Sequence, residues 1–205
     1  MTTPAPAIRS AGLGTTTRVV LAVVVAVVVA ACAAAAPSFD PSGPCVADGR
    51  APGGYPDLEA RIPTEFEGQA PESLDSGRHC SAENLGSLAG AGIDEVRFAG
   101  GTWSFGGRRS AALALFEAPG LDARDVAEFY QDSAEAAGRT EVTATVETTL
   151  AGRMGYRIDA TTGERLQTVL VWPSGTPGRV LVVLTTDLPD PKLLAAVDAL
   201  EAAAR

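Results

Sequence analysis

Eighteen consecutive residues, Val19 to Ala36, read VVLAVVVAVVVAACAAAA without one charged or strongly polar side chain. A fold core given such a run would hold more apolar surface than it could bury, so the segment suits a bilayer. Residues 1–18 carry two bases, Arg9 and Arg18, and no acid. No base follows the run until Arg50, so the charge asymmetry directs the rest of the chain to the extracytoplasmic side. Two readings of residues 1–31 share that topology. One is a cleaved signal peptide with its apolar stretch over Val19–Ala31. The other is an uncleaved anchor helix, because 18 apolar residues reach the lower limit for a span.

A third reading refines the first. Val29-Ala30-Ala31-Cys32 resembles a bacterial lipobox, in which an aliphatic residue and two small ones precede a cysteine that becomes the lipidated N-terminus. Lipidation needs the Cys32 thiol for a thioether, and the small residues let a peptidase reach the backbone. After Cys32 come an Ala-rich stretch and Pro37, Ser38, Pro41, Ser42, Gly43 and Pro44, the composition of a flexible linker, assigned here to residues 32–54. With Cys32 so used, Cys45 and Cys80 remain as an even pair in an oxidising compartment, and a disulfide between them is expected.

Charge and composition exclude several functions. The whole chain carries a net charge of −9 and the remainder after residue 31 has 14 bases against 25 acids, a net of −11. No nucleic-acid partner is expected, since such binding needs a dense basic face. One histidine, His79, excludes metal sites built on His pairs, and no metal or other cofactor is expected.

Residues 55–205 read as a single α+β domain. Tyr55 to Pro63 alternates weakly and fits a short helical turn or an edge segment ended by Pro63, and Ser81 caps a helix expected to run to about Ala89. Glu95–Ala99, Thr102–Phe105 and Ser110–Phe116 read as strands around tight Gly turns. Asp122 is the N-cap of the clearest helix, with Asp125 three residues on and Gly138 as its stop. Strands follow at Glu141–Glu147, Met154–Ile158, Leu166–Trp172 and Val180–Thr185, the last two apolar enough for burial on both faces. A last helix has Asp190 as N-cap and Leu193, Leu194, Val197 and Leu200 as its inner face. The expected architecture is a mainly antiparallel sheet with about three helices packed on one face.

The stretch Glu117-Ala118-Pro119-Gly120-Leu121-Asp122-Ala123-Arg124-Asp125-Val126, the strands carrying Gly152 and Tyr156, the Trp172–Thr186 hairpin and Tyr55-Pro56-Asp57-Leu58-Glu59-Ala60-Arg61-Ile62-Pro63 carry a resemblance. Over roughly residues 55–203 the chain resembles uncharacterised exported α+β lipoprotein-type domains of high-GC bacteria. It is more loosely similar to PsbP-like and LpqN-like envelope proteins. The shared motifs are structural, so the resemblance implies a fold and an envelope location and transfers no catalytic residue.

Candidate chemistry is sparse. His79, in Arg78-His79-Cys80, is the only base for a serine nucleophile, and no Gly-x-Ser-x-Gly elbow is present. Trp103 with Arg108 and Arg109, in the Gly-rich stretch 100–109, offers a ligand edge for sugar stacking or anion contact, although alternation favours a core role for Trp103. Asp187 and Asp190 read as a turn residue and a helix cap. The expected protein is therefore held at the cell membrane by an N-terminal lipid or anchor helix, with a non-enzymatic domain that meets a protein or small ligand outside. Its rivals are an envelope hydrolase with a carboxylate-based site and a structural protein of envelope assembly.

Overall fold

The computed structural model describes residues 39–205; the apolar run and Cys32 lie outside the described residues. The strands are β1 (Gly49–Ala51), β2 (Ser73–His79), β3 (Val96–Ser104), β4 (Ser110–Glu117), β5 (Thr140–Leu150), β6 (Arg153–Thr162), β7 (Arg165–Pro173) and β8 (Arg179–Thr186). The helices are α1 (Pro56–Glu59), α2 (Ala82–Leu85), α3 (Ser87–Gly90), α4 (Ala123–Ala136) and α5 (Asp190–Ala203). All eight strands join one antiparallel sheet in the order β1-β2-β3-β4-β8-β7-β6-β5. Two meanders thus meet where β4 pairs with β8, and a 14-residue helix follows each of those strands. The α+β, mainly antiparallel character is as expected.

The helices, however, do not share one face. Along β8, Leu181 and Val183 pack with Leu193, Val197 and Leu200 of α5, while Val180 and Val182 pack with Val126 and Ala127 of α4. Successive strand side chains point to opposite sides, so two apolar sets on one strand require a cover on each side. One core lies between the sheet, α1 and α5; the other lies between the sheet, α2, α3 and α4.

Local signals account for much of this. Asp122 accepts from the backbone of Arg124 and Asp125, and Asp125 returns a bond to the Asp122 N–H, a capping box that starts α4. Ser81 caps α2 through the Asn84 N–H, but the expected single helix is broken at Gly86, whose φ is +53°, into two short pieces. The Gly100-Gly101 pair makes no turn, and β3 runs unbroken through it. A Cβ on Gly101 would stand 2.8 Å from the Trp103 ring and 3.1 Å from Ile62, so this glycine makes room for the indole two residues along the same face. In β5 the register slips between Val142 and Ala144, and Val146 beyond this bulge is 48% exposed. Leu194, expected on the inner face of α5, is exposed, and Ala196 is buried in its stead.

The folded body begins before Tyr55. Phe39 packs edge-on against Tyr55, and β1 pairs with β2. The guanidinium of buried Arg78 donates to the carbonyls of Asp40, Gly43 and Pro44 at 2.7–2.9 Å. Cys45 and Cys80 form the expected disulfide, with Cα atoms 6.1 Å apart. Residues 39–54, rich in Pro and Gly and expected in the linker, are fastened to β2 by one arginine, one bridge and three ladder residues.

Candidate functional site

A cleft of about 720 Å³ opens beside the start of β3 and the end of β4. Its walls come from the 92–95 loop, the Ala118-Pro119 step and Thr176-Pro177 of the β7–β8 loop. A smaller depression of about 290 Å³, between the start of α4 and the other side of that loop, shares Thr176 and Pro177 with it. Gly178 accepts from the Ala118 N–H, which ties the β7–β8 loop to the end of β4 and sets the cleft width.

Two charges of the cleft, Arg97 and Glu117, belong to a row set by strand register. Arg78 pairs with Arg97, Arg97 with Glu117, and Glu117 with Arg179, so four charged residues from β2, β3, β4 and β8 stand side by side on the α5 face. Two arginines directly opposite each other repel, and carboxylates are needed between them. Glu95 serves both, 3.7 Å from Arg78 Nη1 and accepting from Arg97 Nε at 3.4 Å. Glu117 turns the other way and accepts through Oε2 from both Nε and Nη2 of Arg179, the Nε bond being 2.9 Å long. Arg97 is thus held at Nε only, its guanidinium carbon 5.2 Å from the centre of the Tyr55 ring, with half of the side chain exposed. Among the described residues, neither of its terminal nitrogens has a hydrogen-bond partner.

The residues singled out from sequence lie elsewhere. Trp103 is buried and its indole nitrogen donates to the Gln69 carbonyl, so it presents no surface for stacking a sugar. Arg109 donates to the Phe105 carbonyl within its own turn, and Arg108 is exposed near Glu164 at 3.8 Å. Asp187 accepts from the Leu166 N–H and adopts a φ of +52°, as a turn residue. Asp190 makes no cap bond; helix α5 has Pro189 at its N-cap, and Asp190 pairs with Arg157 instead at 3.0 Å.

His79 lies stacked on Phe98, with ring centroids 4.8 Å apart and a buried Nδ1 that has no partner. Burial lowers its pKa below 6.5, Asp48 opposes the shift and Arg50 adds to it. Cys45, Cys80 and Asp48 come together, but the sulfurs are bonded to each other. Asp48 is also fully engaged, accepting from the N–H groups of Cys80 and Ser81, from Ser81 Oγ and from Asn84. Burial alone would raise its pKa, yet these donors outweigh it and hold the carboxyl well below the usual range.

The cleft was not visible in the sequence, because Arg97 and Glu117, twenty positions apart, meet only through strand pairing. The alternation of Glu95, Arg97 and Ala99 in one strand was the available signal, and it placed Arg97 without its neighbours. No protein-family model matches the chain, and neither does any curated protein sequence. Among the described residues no helix is long and apolar enough to cross a membrane.

Proposed function

We propose that this chain is a membrane-anchored extracytoplasmic protein whose α+β domain binds a ligand or partner outside the membrane and catalyses no reaction. The reading is carried by one conjunction: the lipobox-like Val29-Ala30-Ala31-Cys32, followed thirteen residues later by Cys45 of the Cys45–Cys80 bridge. Structural disulfides persist where the surroundings oxidise thiols, which agrees with the outward topology of the charge pattern. The Arg78 clamp on Asp40, Gly43 and Pro44 suits a domain held by its N-terminal side, since a pull there falls on β2 within the sheet. A carboxylate-based hydrolase is the weaker reading. Glu95 and Glu117 are each engaged by arginines, whereas a general acid needs a carboxyl in apolar surroundings that keep it protonated.

Metabolic labelling with a clickable palmitate analogue tests the anchor. Label on the wild type that disappears in Cys32→Ala is the expected result. Absence of label on the wild type, or equal label on both, overturns the lipid anchor.

A further inference from the structure

We infer that the cleft at the β3–β4 end of the sheet receives a small ligand through a single carboxylate, with Arg97 as its anchor. This rests on the reading of the domain as a binding module and names the chemistry of what it binds. Guanidinium groups grip carboxylates with two parallel N–H donors, and their strength depends on the fork being held in place beforehand. Arg97 meets that requirement: Glu95 holds Nε at 3.4 Å and the Tyr55 ring supports the guanidinium at 5.2 Å. The end of the fork away from Nε is what a bidentate ligand needs, and it is the part with no partner among the described residues.

The neighbouring charges select the ligand. Glu117 is the natural cross-strand partner of Arg97, but it is turned to Arg179. Arg97 is left sharing Glu95 with Arg78. A monoanion can complete this arrangement. A dianion such as phosphate meets Asp94, Glu95 and Glu117 around the same cleft and is disfavoured by them. Ile93, Ala118, Pro119 and Pro177 supply apolar wall, so the carboxylate belongs to a molecule with an apolar body. A peptide C-terminus and a free aliphatic acid share that chemistry.

The test titrates the purified full-length protein in detergent micelles with N-acetyl-dialanine, its C-terminal amide, hexanoate and inorganic phosphate, followed by calorimetry. At least one of the two carboxylates should bind, and which one binds tells the peptide source from the aliphatic acid. For a peptide ligand the amide should bind roughly tenfold or more weakly than the acid, the loss of one charge-assisted bond pair. Phosphate should bind more weakly than the carboxylate that binds. Arg97→Gln should weaken the carboxylate by a similar factor, and Arg97→Lys, which keeps the charge without the fork, should fall between. Thermal unfolding of both variants checks that they fold. Binding to neither carboxylate, phosphate binding more tightly than carboxylate, an acid and amide that bind equally, or unchanged affinity in folded Arg97→Gln overturns the assignment. The palmitate label on Cys32 is read separately, so loss of this inference and loss of the anchor are distinguishable.

Discussion

Glu201, near the end of α5, accepts a hydrogen bond from the indole nitrogen of Trp172, 3.2 Å away on β7. Both residues are buried, and the other carboxylate oxygen of Glu201 takes Arg153 Nη1 at 2.8 Å. A charged residue on the inner face of an otherwise apolar helix is explained by these two donors. Glu201→Ala leaves the indole N–H and the half-exposed Arg153 without a partner, and is expected to cost about 2–4 kcal/mol. Glu201→Gln keeps one acceptor and should cost less than half as much. Urea unfolding measures both, and equal losses for the two variants would refute the role of the charge.

Gly101 is expected to be the most sensitive of the glycines in β3. An added methyl meets the Trp103 ring at 2.8 Å and Ile62 at 3.1 Å, both within the core. Overpacking of this kind costs about 1–3 kcal/mol. At Gly100 the methyl meets the Ala114 side chain at 3.3 Å on the half-buried opposite face, so Gly100→Ala should cost less. The two alanine variants, compared by denaturant midpoint, test the order; a larger loss at Gly100 would contradict it.

Acid should weaken the fold through His79. Its folded pKa lies below 6.5 because burial disfavours the charged ring, so the unfolded chain binds the proton more readily. The stability due to neutral His79 is complete above about 6.5 and is lost as pH falls through the lower folded value. Asp48 acts in the same sense further down: its contribution is present above the ordinary carboxylate range and is lost only at strongly acid pH. Melting temperature measured against pH should slope downward below about 6.5 in the wild type and flatten there in His79→Gln. An unchanged slope would assign the loss to other groups.

Elements whose signals are local were legible in the chain. The Asp122–Asp125 capping box, the Ser81 cap, the alternation of Met154–Ile158 and the continuous apolar runs of β7 and β8 depend on residues a few positions apart, and the structure contains these caps and strands. The Cys45–Cys80 pairing followed from parity once Cys32 was set aside. Errors gathered where distant residues intervene. Gly100-Gly101 read as a turn because no local rule shows that the Trp103 ring needs the space of Gly101. The strand Glu141–Glu147 shows no local sign of the bulge near Thr143, which reverses the facing beyond it and leaves Val146 exposed. Phe39 to Gly54 read as linker because its composition is that of a tether, and the group that fastens it, Arg78, lies more than thirty residues away.

By itself the sequence determined the apolar run at Val19–Ala36, the charge pattern around it, the acidic remainder and the antiparallel α+β type, because each depends on composition or on short-range periodicity. Only the tertiary structure decided that helices cover both faces of the sheet and that Arg78, Arg97, Glu117 and Arg179 form one row. The physical reason is register. Strand pairing joins residues as far apart as Ser110 and Thr186, and a shift of one residue would turn every one of those side chains to the other face.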